Sequence, residues 1–439
     1  MDLTHQKIAV LGCGRSGLAA ARLARSCGAS NIRLFDSNPC AACDSGDFSL
    51  TAGATEEEGR AFGADLVIIS PGIEAEIPWT RAFAERAREL IGETEFAFRH
   101  FHGTVIAITG TNGKTTTTAL IEHILKKAGM AATACGNYGV PFCDVVLGEE
   151  TNVAVLEVSS FQMETIRDFR PDMAVWLNFA PDHMDRYKTV NDYFQAKLRV
   201  FENMDSTQTI VVRQSEALPP MAPRMLTFGA PNGPCDPECN LIYRDGWICR
   251  GNTRLVDLNE TTLSQAHNAE NAMAATLVCR ELGVSFETIQ EDVRHFVPPG
   301  HRCEIVAEID GILWLNDSKS TNLHSTEAAI RSQTRPIVLI AGGKDKGLDY
   351  APIVPLLAEK ARASIVFGQI GDQLADTFSP VVPTVTTATL DQAVAEAAKL
   401  ARRGDVVLFS PGTSSFDQFS SYAERGECFR NAVRDILKI

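Results

Sequence analysis

A lysine within a glycine-rich run is the first feature of the sequence that could carry chemistry. Residues 109–116 read Thr-Gly-Thr-Asn-Gly-Lys-Thr-Thr, between an apolar run and a helical stretch. In such a G-x-x-G-K-T loop, which is shorter than G-x-x-x-x-G-K-[ST], successive backbone amides point at phosphate oxygens. Lys114 would meet the charge of the outer phosphates, and Thr115 would reach Mg²⁺. The pattern favours a nucleoside triphosphate site over a solvated lysine that begins a helix.

A second glycine turn lies near the N-terminus. Residues 12–17 read Gly-Cys-Gly-Arg-Ser-Gly, and Asp36 follows Gly17 by nineteen residues, at the end of the next apolar run. The glycines allow a phosphate to approach the backbone at a helix N-terminus, and the acid can hold a ribose hydroxyl. On its own the motif indicates an NAD(H) dehydrogenase, although it specifies a nucleotide diphosphate better than a particular nucleotide. The alternative is a tight turn without a ligand.

An acid and a histidine end two later apolar runs. Glu157 closes the run that begins at Val153 and is followed by Ser159, and His183 lies just beyond the next run. An acid inside an apolar strand is costly unless it is paired or bound to metal, and ligands bind where parallel strands end. We therefore predict a metal or phosphate role for both. The alternatives are an edge acid that points to water and a structural histidine.

Lys197 lies on an apolar face of the helix predicted over 191–201, between Tyr193 and Phe201. A lysine in that position either extends its amine to water or loses its proton, and the pattern alone favours the first. A neutral amine could take up CO₂ and become a carbamate, which would turn a cation into an anionic ligand. Both alternatives stay open at this point.

Further polar residues downstream suit a purine and a small carboxylated substrate. Asn268 and Asn271 lie three residues apart at a helix start, where two amides could bind a purine edge or cap the helix. The last third of the chain holds four polar turns after apolar runs, at 316–322, 342–347, 368–369 and 410–417. Turns at the same edge of a parallel sheet converge on one crevice, and their lysines and hydroxyls suit a carboxylate.

The elements that must position these residues alternate between short apolar runs and helical stretches. Nine runs are predicted as strands: 7–11, 31–35, 66–70, 104–109, 153–158, 173–177, 337–340, 364–367 and 406–409. Alternation with helices predicts doubly wound α/β sheets. Helix stops support this, because the stretch from Thr115 ends in Lys126 and Lys127 with Gly129 beyond. We expect boundaries near Ile91 and in the Pro-rich 297–300, and a polar excursion at 218–240 inside the middle domain.

Length and charge exclude several classes of protein. The chain has 439 residues, and 41 Lys and Arg against 55 Asp and Glu give a net charge of −14. That sign disfavours a nucleic-acid or anionic-membrane binder. No apolar run could cross a membrane and no secretory signal is visible, so we expect a cytoplasmic protein with reduced thiols. Cys40/Cys43 and Cys235/Cys239 have metal-like spacings, but no histidine pair completes a zinc site.

These motifs occur together in one family. The sequence resembles the Mur ligases of bacterial cell-wall synthesis along essentially its whole length. The family motifs are the loop at 109–116, Glu157-Val-Ser-Ser160 and His267-Asn-Ala-Glu-Asn271. More typical of the member that adds D-glutamate are Asp182-His-Met-Asp-Arg-Tyr187, Asn316-Asp-Ser-Lys-Ser-Thr-Asn322 and Ser410-Pro-Gly-Thr-Ser-Ser-Phe-Asp-Gln-Phe419. The Asp-Asn-Pro-Arg motif of the member that adds a diamino acid is absent.

The resemblance implies three domains and a set of site residues. The domains would be a Rossmann-like UDP-sugar-binding domain at 1–92, a P-loop ATPase-type domain with a mostly parallel sheet at 93–298 and a Rossmann-like amino-acid-binding domain at 299–439. The UDP-sugar would meet Gly14, Arg15, Ser16, Asp36, Ser37, Ser70, Gly72 and Asn137. ATP would meet Gly110, Thr111, Asn112, Gly113, Lys114, Thr115, Thr116, Asn268, Asn271, Arg302 and Asp317. Mg²⁺ would be placed by Thr115, Glu157, Ser159, His183 and a carbamate on Lys197. D-glutamate would meet His183, Lys319, Thr321, Lys346, Ser415 and Tyr422.

The resemblance also implies a reaction. A monomeric enzyme would join D-glutamate to UDP-N-acetylmuramoyl-L-alanine at the expense of ATP, through an acyl phosphate, with Lys114, Glu157, His183, Lys197 and Lys319 as catalytic residues. This overrides the dehydrogenase interpretation of the first glycine turn. Folylpolyglutamate synthase, which also adds glutamate, is disfavoured by the N-terminal nucleotide domain, and a non-catalytic nucleotide sensor is a further alternative. Either Lys344 or Lys346 could bind the amino-acid carboxylate, and Tyr422 stands where relatives often carry Phe.

Overall fold

The computed structural model describes residues 3–41, 46, 48–148, 150–229, 239–264 and 266–438. The chain forms two compact units: Met1–Phe179 with Asn191–Phe296, and Ala180–Val190 with Val297–Ile439. No helix within the described ranges is both long enough and apolar enough to span a bilayer. The described cysteines are free thiols, and Cys43 and Cys235 lie outside the described residues.

The first unit begins with a five-stranded parallel sheet in the order β3-β2-β1-β4-β5. Its strands are β1 (Lys7–Leu11), β2 (Asn31–Asp36), β3 (Ser49–Ala52), β4 (Leu66–Ile69) and β5 (Glu89–Gly92). Its helices are α1 (Arg15–Ser26), α2 (Glu56–Phe62), α3 (Pro78–Ala84) and α4 (Glu93–Phe98). The strand order reverses at β1, and such a reversal opens a crevice at the carboxyl ends of the strands.

A second, six-stranded sheet of the first unit is also parallel, in the order β11-β10-β9-β6-β8-β7. Its strands are β6 (Thr104–Thr109), β7 (Ala132–Gly136), β8 (Val153–Glu157), β9 (Met173–Trp176), β10 (Thr209–Arg213) and β11 (Arg224–Phe228). Its helices are α5 (Lys114–Lys127), α6 (Phe142–Leu147), α7 (Ser160–Met163), α8 (Val190–Leu198), α9 (Ala266–Glu281) and α10 (Phe286–His295). A small antiparallel sheet consists of β12 (Ile242–Arg244), β13 (Trp247–Arg250) and β14 (Thr253–Asp257).

The second unit holds a six-stranded sheet in the order β15-β16-β20-β17-β18-β19, in which the β15 edge strand is antiparallel to β16 and the other pairs are parallel. Its strands are β15 (Glu304–Ile309), β16 (Ile312–Asn316), β17 (Ile337–Gly342), β18 (Ala361–Phe367), β19 (Thr384–Thr386) and β20 (Val406–Phe409). Its helices are α11 (Leu323–Arg331), α12 (Val354–Lys360), α13 (Gly371–Phe378), α14 (Leu390–Leu400) and α15 (Tyr422–Leu437). Apolar clusters cover both faces of the sheet, as parallel strands require.

The predicted α/β class with mostly parallel sheets is confirmed, and each of the nine predicted strands is present. Their ends lie within two residues of the prediction, except that β18 begins three residues earlier, at Ala361. Helix α5 ends at Lys127 and Gly129 adopts φ +83°, as its stop signals predicted. The helix predicted over 191–201 is present, as α8 up to Leu198 and a 3₁₀ turn over Arg199–Phe201. The polar stretch 218–240 contains the strand β11, which the sequence did not predict and whose backbone pairs with β10.

Candidate active site

The first glycine turn joins β1 to α1 as the sequence predicted. Gly12 adopts φ +93°, and a Cβ there would lie 2.7 Å from Ser70 Oγ. A Cβ on Gly17 would lie 1.9 Å from the carbonyl oxygen of Gly12. The start of α1 therefore packs directly on the turn, in the way that lets backbone amides at a helix N-terminus meet an anion.

The residues predicted to bind a UDP-sugar lie mostly around this turn. Asp36, at the end of β2, accepts hydrogen bonds from the backbone N–H of Cys13 at 3.1 Å and of Asn38 at 3.0 Å. Ser70 Oγ is buried without a hydrogen-bond partner among the described residues. Gly14 caps α1, and Ser16 follows in its first turn. Ser37 and Gly72 are exposed just after β2 and β4.

Two predicted UDP-sugar residues make contacts near the second sheet of the same unit. The Arg15 guanidinium donates to the carbonyl of Gly139 at 3.2 Å. Asn137, which follows β7, donates its Nδ2 to Glu157 Oε1 at 2.6 Å. Asn137 therefore orients the acid that was predicted to hold a metal, a link that the sequence did not reveal.

The second glycine turn joins β6 to α5 and is largely buried. Gly113 adopts φ +87° at the start of α5. The Lys114 ammonium bends over the turn and donates to the carbonyls of Gly110 and Thr111, both at 2.9 Å. Sequence reasoning missed Asn178, whose Oδ1 accepts from the N–H of Asn112 at 2.9 Å and whose carbonyl accepts from Thr111. Asn178 follows β9, so the neighbouring strand holds the loop in place.

Lys197 lies inside the protein and contacts the same turn. Its side chain is on α8, the residue is 1% exposed, and Nζ donates to the Gly110 carbonyl at 2.9 Å. Nζ also lies 4.9 Å from the centre of the Tyr193 ring. The interpretation in which this lysine extends to water is wrong, because the apolar stripe of α8 faces the core and carries the amine with it. A buried amine next to a phosphate-type turn has the setting that the carbamate hypothesis requires.

Glu157 is the buried acid of the site. The residue is 2% exposed, Oε1 accepts from Asn137, and Oε2 is buried without a hydrogen-bond partner in the described part of the chain. A buried carboxylate oxygen with no partner is costly, and a cation would satisfy it. Of the two hydroxyl residues predicted to assist, Ser159 caps α7 through Gln162, and Thr115 is buried at the start of α5.

The two asparagines of α9 lie against the glycine turn. Asn271 Nδ2 donates to Asn268 Oδ1 at 3.4 Å, so the predicted shared face is confirmed. Asn271 Oδ1 accepts from Thr117 Oγ1 at 3.3 Å, and a Cβ on Gly113 would lie 2.2 Å from it. Residue 113 must therefore be glycine both for its backbone angle and for this contact. Thr116 Oγ1, one residue earlier on α5 than Thr117, is buried without a hydrogen-bond partner among the described residues.

In the second unit, three of the residues predicted to bind D-glutamate cluster around Asp182. This carboxylate, 4% exposed, forms a buried ion pair with Lys346 and accepts from Asn322 Nδ2 at 2.9 Å. His183 adopts φ +58°, and its backbone N–H donates to Asp182 at 2.8 Å. Lys346 also donates to the carbonyl of Thr321 at 3.3 Å. Burial raises the pKa of Asp182, but the charges of Lys346 and His183 outweigh it, and the pKa lies below its usual value.

The two candidate lysines of the 342–347 turn differ in environment. Lys346 is buried against Asp182, whereas Lys344 is exposed and uses its backbone to pair with Ser414. Only Lys346 is held in one place by a buried partner. Asp182 and Asn322 are contacts that sequence reasoning did not assign, although both lie within motifs that it singled out.

The remaining residues of the predicted amino-acid site lie on the turns after β16 and β20 and at the start of α15. Lys319 Nζ lies 5.1 Å from the centre of the Tyr422 ring, and Ser415 is buried in the 410–417 turn. The carboxylate of Asp317, which is predicted to contact adenosine, accepts from Ser410 Oγ at 2.8 Å and from Ser320 Oγ. Burial raises the pKa of Asp317 to about 6. Arg302, also predicted to contact adenosine, has its Nε buried without a hydrogen-bond partner in the described chain.

Comparisons with known proteins identify the family to which the chain belongs. Two family models match the chain, the Mur ligase middle domain over residues 108–279 and the Mur ligase glutamate ligase domain over residues 301–412. The UDP-N-acetylmuramoylalanine–D-glutamate ligase of Geotalea uraniireducens is 38% identical, with 99% of each chain covered. The chain belongs to the Mur ligase family. A ligase of the same name from Alkaliphilus metalliredigens is 35% identical over the full length of both Mur ligases.

Solved Mur ligase structures share the fold at low sequence identity. A UDP-N-acetylmuramate–alanine ligase from Thermotoga maritima matches with a TM-score of 0.63 and 19% identity, over 98% of this chain and 100% of the other. A MurF ligase from Thermotoga maritima in complex with ADP matches with a TM-score of 0.61 and 16% identity, over 100% and 99% of the two chains. These matches confirm a multi-domain α/β architecture for this Mur ligase.

Proposed function

We propose that this Mur ligase uses ATP to join D-glutamate to the L-alanyl carboxylate of UDP-N-acetylmuramoyl-L-alanine, a step of peptidoglycan precursor synthesis. The observation that carries the proposal is the buried turn at 110–114, whose carbonyls hold Lys114 and Lys197 beside α5. Full-length relatives that are 35–38% identical and carry the name of this activity support the choice of substrates.

The first step would be phosphoryl transfer. A carboxylate oxygen of the L-alanyl group attacks the γ-phosphorus of ATP, the bond to the β,γ-bridging oxygen breaks, and ADP leaves. Two anions must approach each other in this step, so a positioned cation lowers the barrier. Lys114 already lies at the mouth of the loop, and on binding it would exchange the carbonyls of Gly110 and Thr111 for phosphate oxygens.

A magnesium ion fits this site because of the unpartnered Glu157 Oε2. We propose that Glu157, Thr115, Ser159, His183 and a carbamate on Lys197 would hold it. When bound, Mg²⁺ would offset the phosphate charge. The protein's own contribution is to keep Glu157 oriented through Asn137 and to keep Lys197 buried next to Gly110.

The second step would form the amide. The amine of D-glutamate attacks the carbonyl carbon of the acyl phosphate, loses a proton, and inorganic phosphate leaves. Lys346, Lys319, Thr321, Ser415, Tyr422 and His183 are the proposed amino-acid residues. Between the two lysines of the 342–347 turn we assign the carboxylate contact to Lys346, since Asp182 fixes its position.

The sheets support a finer assignment of domains. We propose a UDP-sugar domain at 1–92, an ATP domain of the P-loop type at 93–298 and an amino-acid domain at 299–439, the first and last of Rossmann type. The supporting observations are three separate sheets, formed by β1–β5, by β6–β11 and by β15–β20, the last of them in the second unit. We also propose that the enzyme acts as a monomer in the cytoplasm.

The test is the release of ADP in the presence of UDP-N-acetylmuramoyl-L-alanine, ATP and one amino acid at a time. We expect ADP release with D-glutamate and not with L-glutamate, D-glutamine or L-alanine. Productive use of a folate in place of the UDP-sugar, or release that ignores the amino acid, would contradict the proposal.

A further inference from the structure

A buried guanidinium connects the turns of the second unit. Arg425 lies on α15, one turn after Tyr422, and is 0% exposed. Its Nε donates to Ser318 Oγ at 3.1 Å. Its Nη2 donates to the carbonyl of Ser318 at 2.9 Å and to the carbonyl of Thr413 at 3.0 Å. One side chain thus binds the 316–322 turn and the 410–417 turn together.

The third turn meets the same guanidinium. A Cβ on Gly343 would lie 3.0 Å from Arg425 Nη1, and Nη1 has no hydrogen-bond partner among the described residues. Two hydrogen bonds also join the 342–347 turn to the 410–417 turn. The Lys344 N–H donates to the Ser414 carbonyl at 2.9 Å, and Thr413 Oγ1 donates to the Lys344 carbonyl. All three turns that carry proposed amino-acid residues therefore touch or adjoin Arg425.

The helix that bears Arg425 is fixed by the same turns. Ser318 Oγ donates to the carbonyl of Tyr422 at 2.8 Å, and Asn316 Nδ2 donates to the carbonyl of Gly426 at 3.1 Å. The first turn of α15 therefore cannot shift without moving the 316–322 turn. Tyr422, which faces Lys319, depends on the same contacts for its place.

Stability does not account for a cation at this point. The hydrogen bonds of Arg425 go to neutral oxygens, and no carboxylate in the described part of the chain forms a direct ion pair with it. Burial lowers the pKa of Arg425 to about 9, although the more distant charges of Asp417 and Asp317 act against it. Burying a charge without an ion pair is costly, and an apolar side chain would fill the same space at less cost.

We infer that Arg425 is a positioning residue for the amino-acid substrate: it sets the relative positions of the turns that carry Lys319, Lys346 and Ser415. The inference rests on the proposed function for the identity of that substrate. A guanidinium is suited to the task because its planar fork can bind several carbonyls at once, which an ammonium on a flexible stem cannot do.

The test compares Arg425→Lys with Arg362→Lys in the full-length enzyme. Arg362 lies at the opposite edge of the same sheet, where it binds Asp405 through two hydrogen bonds of 2.6 and 2.9 Å, so its replacement lowers stability away from the turns. We expect Arg425→Lys to raise the KM for D-glutamate about tenfold, which corresponds to the loss of one hydrogen bond to a charged group. The KM for ATP should not change, and Arg362→Lys should alter neither constant.

Amide hydrogen exchange gives a second readout that does not depend on activity. We expect faster exchange at 316–322, 342–347 and 410–417 in Arg425→Lys but not in Arg362→Lys. Unchanged exchange in these turns, or equal kinetic effects of the two substitutions, would overturn the inference. If Arg425→Lys does not fold, Ser318→Ala removes the Nε contact and the hydrogen bond to the Tyr422 carbonyl but keeps both Nη2 contacts, so it should show a smaller rise in KM with the same exchange pattern. Should the wild type ignore D-glutamate, the proposed function fails, and exchange alone decides the role of Arg425.

Discussion

The two glycine turns of the first unit have the same strand–turn–helix design and very different surroundings. The turn at 12–17 is open, with Gly14 and Arg15 exposed, and its principal side-chain contact is the carboxylate of Asp36 on the Cys13 N–H. The turn at 110–114 is largely buried, and the amines of Lys114 and Lys197 both point at its carbonyls. An acid, Glu157, lies buried at the end of the neighbouring strand β8, and one of its oxygens has no hydrogen-bond partner among the residues that the structure describes.

The difference shows that the glycine pattern sets only how closely a phosphate can approach. What can be done with the phosphate depends on the charges buried around the turn, since these act strongly in a dry site. We therefore assign binding to the first turn and phosphoryl transfer to the second.

The largest effect is expected for Lys114→Ala. Without this cation the loop keeps its fold but loses the charge that faces the outer phosphates, so kcat should fall by about 10³-fold or more. Binding of the UDP-sugar, measured by calorimetry, should persist because the first turn is intact. Lys127→Ala, at the exposed end of the same helix, is the matched control and should keep full activity. Retained turnover in Lys114→Ala would remove the chemical distinction between the turns.

Lys197→Ala should be the next most harmful change. If the buried amine becomes a carbamate, its loss removes an anionic ligand, and activity should fall by about 10²-fold. A short carboxylic acid should restore part of that activity, whereas bicarbonate should not. Gln195→Ala, on the exposed side of the same helix, serves as the control. Full activity in Lys197→Ala would eliminate the carbamate hypothesis.

A milder effect is expected at the first turn. Asp36→Ala removes the carboxylate that holds the Cys13 N–H, so the KM for the UDP-sugar should rise about tenfold while kcat stays nearly constant. Asp65→Ala is the matched control and should leave this KM unchanged. Asp65 accepts from the Lys7 N–H at 2.8 Å at the other end of β1, so its replacement removes an equivalent hydrogen bond away from the crevice. A large fall in kcat for Asp36→Ala would mean that the first turn also takes part in the chemistry.

The smallest effect concerns a buried acid outside both turns. Burial raises the pKa of Glu93 from 4.5 to about 7, although the Cys143 N–H donates to it and acts in the other direction. The folded state therefore binds this proton more tightly than the unfolded state. The resulting stability is complete below about pH 4.5 and is lost as the pH rises to about 7.

Glu93→Gln should accordingly lose less thermal stability than the wild type between about pH 5 and about pH 8. The exposed Glu57→Gln makes the same change in charge and should follow the wild type. The measurement is Tm against pH for the three proteins. Parallel curves for Glu93→Gln and the wild type would show that burial of this acid does not govern its protonation.

Much of this comparison could be predicted from sequence, because it depends on local patterns. Apolar runs located the central strands, and glycine spacing located both turns between a strand and a helix. The pattern could not show that the Lys197 amine is buried. An amphipathic stripe predicts which face of a helix packs on the core, but not whether a long side chain on that face ends in the core or in water. It also did not predict the strand β11. The side chains of β11 are mixed in character, and the strand is defined by its backbone hydrogen bonds to β10.

Contacts between distant segments were the hardest to predict. Asn178 holds the loop at 110–114, and Asn137 orients Glu157. Arg425 meets Ser318 and Gly343, which lie more than 80 residues before it in the chain. Each of these side chains is polar and lies in or near a recognised motif, but its partner is determined by the sheet topology. Sequence spacing alone carries no information on such pairings.

The most direct test of phosphoryl transfer at the loop follows an oxygen atom. UDP-N-acetylmuramoyl-L-alanine labelled with oxygen-18 in its carboxylate is turned over with ATP and D-glutamate, and the inorganic phosphate is analysed by mass spectrometry. We expect each phosphate to carry one labelled oxygen, since the attacking carboxylate oxygen stays on phosphorus when the amine displaces the phosphate. Unlabelled phosphate, formed together with the amide product, would contradict it.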